Sequence, residues 1–272
     1  MTNPDMFSRN YGYVDAAIQK KIGEVKVLIA GCGLGSYMAE ALVRLGCSNF
    51  ILVDHDVIDV HNLNRQNYIY SDIGSFKSES LKKRIELINP GIQVECITEP
   101  VSESNAQALV SRADIIIDTI DFLSVKGLVA LYEQCYLQKK PVISSINAGW
   151  GAIAFYIPAS NQTKNWFKDI FNISGIETSD PKEYAHYYKQ LIFRIKPYLP
   201  EDVVANLTHV FDLMAENKPC PASQLSAGSF AAASLCTTIF YRALANKDVV
   251  ALPYAMALDM NKIASTSAFP FV

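Results

Sequence analysis

The sequence predicts an α/β fold: a doubly wound, mostly parallel sheet followed by a C-terminal antiparallel and helical elaboration. Three observations carry that expectation. Short apolar runs recur at residues 25–30, 50–53, 94–97, 115–118 and 142–144, each of a length that suits a strand buried on both faces. Helical spacing of apolar residues separates them, which is the alternation that builds parallel sheets. The rhythm then breaks after about residue 151, where a strand at 152–157 arrives without a preceding helix.

The elements follow in order. Residues 25–30 run into glycines and read as a buried strand. Met38, Ala41, Leu42 and Leu45 share one face of a helix over 36–45. The strand at 50–53 ends in Asp54, and Lys77 opens a helix that Asn89-Pro90-Gly91 stops at residue 88. Further helices are expected around 105–111 and 125–138. Past 151, residues 161–180 read as loop-rich. Helices are expected at 184–195 and 203–214, with Pro197 and Pro200 between them. The small-residue run 226–244 reads as a helix and 255–259 as a final strand. No flexible linker divides the chain, so residues 1–272 are expected to form one domain, with 151–272 as an elaboration on the sheet of 1–150.

Composition narrows the function classes. Of 272 residues, 50% are hydrophobic and 19% charged, which is ordinary for a soluble protein. The formal net charge is only -3, so no global field draws in nucleic acid or an anionic membrane, and neither partner is expected. Residues 226–244 carry Arg242 and many small and hydroxyl side chains, which suits a buried helix better than a membrane span. The first ten residues lack the apolar core of a secretory signal. Six cysteines are scattered with no C-x-x-C pair, which argues against zinc and against a disulfide framework and points to a reducing cytoplasm.

The candidate site begins at the turn Gly31-Cys32-Gly33-Leu34-Gly35-Ser36. Gly31, Gly33 and Gly35 after a strand let backbone approach a ligand and aim amides at phosphate from a helix N-terminus. Asp54, about 20 residues on, stands where an acid accepts hydrogen bonds from ribose hydroxyls. Those two features fit a nicotinamide- or flavin-dependent oxidoreductase equally well. The remainder does not. Asn62, Asn64, Arg65 and Gln66 leave the second strand at the carboxyl edge of the sheet, and Arg65 suits phosphate oxygens. Lys77 at a helix N-terminus has the wrong charge for the helix dipole unless an anion lies nearby. Asp118 and Asp121 close the fourth strand, and a carboxylate facing a polyphosphate suits magnesium. A surface lysine, a capping acid and a turn residue are the plain alternatives for Lys77, Asp118 and Asp121.

In motif order the chain resembles the ThiF/MoeB/HesA family, prokaryotic relatives of the ubiquitin-activating E1 enzymes. The matching pieces are Ser8-Arg9-Asn10, the glycine turn, Asp54-x-Asp56, Asn62-Leu-Asn-Arg-Gln66, Asp72-Ile-Gly74-x-x-Lys77, Ile88-Asn-Pro90 and Asp118-x-x-Asp121. They cover residues 7–150, and the resemblance implies that 1–150 is the nucleotide-binding core and 151–272 the acceptor-side and dimer elaboration. The resemblance implies a Rossmann-like adenylation domain that uses ATP and Mg2+ to convert a carboxylate into an acyl-adenylate with release of pyrophosphate. It implies that Asp54 holds the ribose. Asp56 joins the nucleotide-binding set. Asn62, Arg65 and Gln66 contact phosphates and the reacting carboxylate region, Lys77 binds phosphates, and Asp121 carries magnesium. Arg9 looks like an arginine that reaches into the neighbouring subunit's site, which implies a homodimer. The substrate class it implies is the C-terminus of a ubiquitin-like sulfur carrier, a peptide or a small acid. A silent E1-like partner subunit is the alternative, and a family member that dehydrates a modified tRNA base is disfavoured by the missing basic run.

Three features depart from the family pattern. The turn is one residue shorter than G-x-G-G-L-G, Phe122 follows Asp121 where asparagine is common, and the zinc-binding C-x-x-C pairs are missing, so no structural zinc is expected. The reaction itself needs no nucleophile–base pair, because a carboxylate is already ionised at neutral pH. It needs positioning and cations. His55 and His61 flank the site segment and read as local hydrogen-bonding residues. Cys220, in Lys218-Pro-Cys-Pro221, is the one cysteine in an irregular segment and hence the candidate acyl or sulfur acceptor.

Overall fold

A seven-stranded sheet in the order β3-β2-β1-β4-β5-β6-β7 organises the chain. The structure is a computed structural model, and it describes residues 4–121, 125–163, 193–215 and 223–266. The strands are β1 (Lys26–Ala30), β2 (Asn49–Val53), β3 (Gln93–Ile97), β4 (Ile115–Asp118), β5 (Val142–Ala148), β6 (Gly151–Ile157) and β7 (Met256–Asp259). The helices are α1 (Ala16–Glu24), α2 (Gly35–Leu45), α3 (Lys77–Ile88), α4 (Ala106–Ser111), α5 (Val125–Leu137), α6 (Glu201–Ala215), α7 (Ser226–Leu244) and α8 (Met260–Thr266).

Strands β1 to β5 pair in parallel, with Ala30 beside Val53 on one side and beside Asp118 on the other. The chain reverses at Gly149, and β6 and β7 complete the sheet antiparallel. The mostly parallel sheet and its antiparallel end are therefore as the hydrophobic pattern predicts. β5 runs four residues past the expected 144. The polar Ser145 and Asn147 interrupt its apolar pattern, and both are used: Ser145 Oγ donates to the Ile153 carbonyl, and Asn147 holds the start of α7. Helices α1 and α8 carry no strong apolar stripe and were not expected. The expected helix at 184–195 lies, except for its last three residues, outside the described residues, as does Cys220.

The core lies in two layers because the strands are apolar on both faces. Ile22, Val27, Ile29, Met38, Leu42, Phe50, Leu52, Leu81, Ile85 and Phe240 fill one side. Leu28, Ile51, Val53, Leu109, Ile116, Leu128, Leu131 and Val142 fill the other. Helix α7 lies against β5, β6 and α2, and its buried Gly228, Ser229, Ala231, Ala232 and Ala233 explain its small-residue composition. Among the described residues no helix is long and apolar enough to cross a membrane.

Candidate active site

The strand order places the site. β1 turns to one neighbour through β2 and to the other through β4, so the crevice past their carboxyl ends lies between connections that diverge to opposite sides of the sheet. Ligands bind open α/β sheets at such switch points. The turn after β1, the loop after β2 and the segment after β4 all open there.

Glycines 31 and 35 are required by the chain's own packing. Gly31 has φ +91°, and a Cβ on it would stand 2.5 Å from the Thr119 carbonyl oxygen. A Cβ on Gly35 would meet Ile29 Cγ2 at 2.7 Å and Thr119 Oγ1 at 2.9 Å. Thr119 Oγ1 also donates to the Gly31 carbonyl at 2.6 Å, so the turn is fastened to the end of β4. Gly33 is different: a Cβ there would meet only the end of the Gln66 side chain, 3.1 Å from Nε2. The N–H groups of Gly33, Leu34 and Gly35 find no acceptor among the described residues and stand at the N-terminus of α2, where an anion is favoured.

Asp54 ends β2 and is buried. Its Oδ2 accepts the Cys32 N–H at 2.6 Å and its Oδ1 the Asp56 N–H at 2.8 Å. Burial pushes its carboxyl up, against the pull of Lys77 and of these two N–H groups. Tyr68 braces the same turn, its hydroxyl 2.6 Å from the Cys32 carbonyl and 3.1 Å from that of Lys77.

Lys77 is buried, and its Nζ lies 2.7 Å from Asp56 Oδ2. The chain thus supplies one anion for a cation that the helix dipole disfavours, so a polyphosphate is not needed to explain Lys77. Asp54, His55 and Asp56 bring their ligand atoms within 4.8 Å of one another. The Lys77 ammonium already provides a cation there.

Arg65 is held by three neutral acceptors. Its Nε donates to Gln224 Oε1 at 2.7 Å, and its Nη1 donates to the His61 carbonyl at 2.7 Å and to Asn64 Oδ1 at 2.9 Å. Partial burial lowers its pKa, and the charge of Asp121 opposes that change. Asp121 is therefore close enough for its charge to act on Arg65. Asp121 itself is exposed beyond the end of β4. Asp118 is not part of this group. It is buried, accepts from Tyr132 Oη at 2.6 Å, from Ser144 Oγ at 3.2 Å and from the Ile120 N–H at 3.0 Å, and burial raises it to about 6.

Asn62 and Gln66 divide differently. Asn62 is buried and its Oδ1 accepts the Asp59 N–H at 2.9 Å, a local capping role. Gln66 is buried beside Gly33, and its Oε1 has no partner among the described residues. A buried acceptor without a donor is costly, so Gln66 Oε1 has room for a donor from a water or a ligand. His61 contributes its backbone carbonyl to Arg65.

Arg9 is exposed and makes no hydrogen bond or ion pair among the described residues. The adjacent Asn10 donates to the Leu45 carbonyl at 3.0 Å, at the C-terminal end of α2. The glycine turn is at the other end, roughly 16 Å away along a helix rising 1.5 Å per residue. The chain therefore brings Asp54, Asp56, Arg65, Gln66, Lys77 and Asp121 to one rim and holds Arg9 at the far end of α2.

Sequence reasoning passed over Thr119, Tyr68 and Gln224. The signal for Thr119 was its place between the two aspartates after β4. Tyr68 and Gln224 carry no local signal, since each acts on a residue distant in sequence or on backbone alone.

The adenylyltransferase and sulfurtransferase UBA4 of Lodderomyces elongisporus is 32% identical over 141 residues, which is 51% of this chain and 30% of that protein. The chain thus spans under a third of that relative. The tRNA threonylcarbamoyladenosine dehydratase of Haemophilus influenzae is 28% identical over 223 residues, 81% of this chain and 82% of that one. In fold, the crystal structure of E. coli MccB with ATP superposes with a TM-score of 0.68 at 19% identity, covering 96% of this chain and 70% of that one. The ThiF family model matches residues 7–268, and the chain belongs to the ThiF family.

Proposed function

We propose that the protein is an ATP-dependent adenylyltransferase that activates a carboxylate as acyl-AMP and releases pyrophosphate. One observation supports this above the others: open amides of the glycine turn, the strand-end Asp54 and the cations Arg65 and Lys77 gather at the topological switch point, with Asp121 near enough for its charge to act on Arg65. Attack of an ionised carboxylate on the α-phosphate needs no base. Charge builds on the phosphate oxygens instead, and fixed cations stabilise it.

The roles follow from placement. Asp54 accepts from the ribose with the lone pairs its two N–H partners leave. The amides of Gly33 to Gly35, with Arg65 and Lys77, receive the phosphates. Gln66 Oε1 takes a donor from the bound substrates. The donor set fits magnesium, which commonly binds one or two carboxylates with phosphates and water, and Asp121 would hold it. The ion would neutralise phosphate charge. Arg9 acts on the partner subunit's site in a homodimer, a reading supported by its position at the far end of α2.

The carboxylate belongs to a peptide or to a carrier-protein tail. Crystal structures of E. coli MccB with MccA share this fold, and the net charge of -3 provides no overall attraction for RNA. The match to a tRNA threonylcarbamoyladenosine dehydratase along most of both chains favours one second reading, in which the carboxylate is carried on tRNA. Calorimetry with ATP and magnesium against NADH and FAD tests the nucleotide assignment. ATP is expected to bind, and binding of a redox cofactor in its place would refute it.

A further inference from the structure

The entry to α7 is anchored at several points. Asn147 Nδ2, near the end of β5, donates to the Leu225 carbonyl at 2.8 Å and lies 3.0 Å from Ser229 Oγ. Ser229 Oγ donates to the backbone carbonyl of Arg65 at 2.8 Å. A Cβ on Gly228 would meet Asn147 Oδ1 at 2.5 Å, so the helix sits as close to β5 as a glycine permits. Asn64 Nδ2 donates to the Gln224 carbonyl at 3.1 Å, and Gln224 Oε1 accepts from Arg65 Nε at 2.7 Å. Residue 224 is thus tied by backbone and by side chain to the segment that carries Arg65.

The chemistry of those ties matters. A guanidinium has five N–H groups. Three of Arg65's are taken, by Gln224 Oε1, the His61 carbonyl and Asn64 Oδ1. None of these acceptors is charged. The two hydrogens on Nη2 find no acceptor among the described residues. A carboxylate at 224 would orient the arginine as well but would spend its charge in an ion pair. A neutral amide orients it and leaves the charge for an anion.

We propose that Gln224 is a positioning residue for Arg65: it fixes the guanidinium from the C-terminal half of the chain and keeps its charge available to the phosphates of ATP. The inference rests on the adenylyltransferase reading and adds to it the residue that sets the phosphate arginine.

Calorimetry on the full-length protein, with ATP and adenosine as probes, tests it. Adenosine lacks phosphates, so its affinity reports the ribose and base side alone. Arg65→Ala is the benchmark. Gln224→Met keeps the length of the side chain and removes the acceptor. It is expected to weaken ATP by about tenfold or more, the scale of a hydrogen bond to a charged group, and to leave adenosine within twofold. Gln224→Glu keeps an acceptor and adds charge. It is expected to fold with unchanged thermal stability and still lose ATP affinity selectively. Equal losses for ATP and adenosine, or ATP affinity retained in both Gln224 variants while Arg65→Ala loses it, would overturn the positioning role alone. ATP affinity unchanged by Arg65→Ala would overturn the role and the phosphate reading together.

Discussion

The Asp54 carboxylate joins two loops: Oδ2 accepts the Cys32 N–H of the glycine turn at 2.6 Å while Oδ1 accepts the Asp56 N–H at 2.8 Å. The acid proposed to hold the ribose is therefore also a structural fastener. Asp54→Asn replaces one acceptor oxygen with a donor that faces an N–H. It is expected to cost about 1–3 kcal/mol of stability, measured by urea unfolding. The same variant is expected to bind adenosine at least tenfold more weakly at temperatures where it is folded. Adenosine affinity unchanged in the folded variant would leave Asp54 with the fastening role only.

The three glycines separate by what surrounds them. Gly31→Ala drives a methyl group into the Thr119 carbonyl at a φ of +91°, and Gly35→Ala drives one into Ile29 and Thr119. Both are expected to cost several kcal/mol, in the range of other overpacked or strained sites. Gly33→Ala meets only the movable end of Gln66 and is expected to keep wild-type thermal stability to within about 1 kcal/mol. The methyl group would lie on the residue that carries one of the open amides, so ATP affinity is expected to fall while the fold persists. Thermal melts beside ATP titrations show whether the two classes divide this way.

Asp118 gives a pH signature with a definite sign. Burial raises its carboxyl from an ordinary 3.8 to about 6. Between those values the folded protein holds a proton that the unfolded chain has released, so stability falls as pH rises from about 4 to 6 and then levels. A difference of about two pH units corresponds to about 3 kcal/mol. Asp118→Asn removes the titration and keeps an oxygen for Tyr132. Relative to wild type, the variant is expected to gain up to about 3 kcal/mol between pH 4 and pH 6.5 in urea unfolding. A difference independent of pH would show that Asp118 titrates normally.

Arg9 offers a test of sharing between subunits. Arg9→Ala and Asp121→Ala are each expected to be inactive in pyrophosphate exchange. In a mixture of the two, a hybrid dimer carries one intact site. Random exchange of subunits would restore about a quarter of wild-type activity, since half the dimers are hybrids with one working site of two. A mixture no more active than its components would place Arg9 outside the partner's site.

How far the sequence reveals this arrangement depends on the range of each interaction. The parallel strands were legible because β1, β2 and β4 are apolar on both faces, and a run such as Ile115-Ile-Ile signals that locally. Lys77 was legible as a residue unusual for its place at the start of α3, but the anion set against it in the fold is Asp56. What the sequence hid are couplings across the fold. That Asp56 pairs with Lys77, 21 residues on, needs the register of the loop after β2. That Gln224 holds Arg65 needs α7 to pack against β5 and α2, which local pattern does not encode. Gly31 and Gly35 read as phosphate-binding glycines, yet the φ of Gly31 and the close packing of both against Thr119, and of Gly35 against Ile29, already require them. Helix α1 escaped notice because only Ile22 of its residues is buried.

This rim is proposed to join a carboxylate to the α-phosphate of ATP, and isotope exchange between labelled pyrophosphate and ATP tests that most directly. The assay takes wild-type protein and magnesium with peptides, carrier proteins ending in Gly-Gly, or threonylcarbamoyl-modified tRNA as carboxylate donors. Label is expected to enter ATP with one donor class and to vanish in Asp121→Ala and Arg65→Ala. ADP and phosphate as the products, or wild-type exchange in either variant, would contradict the account.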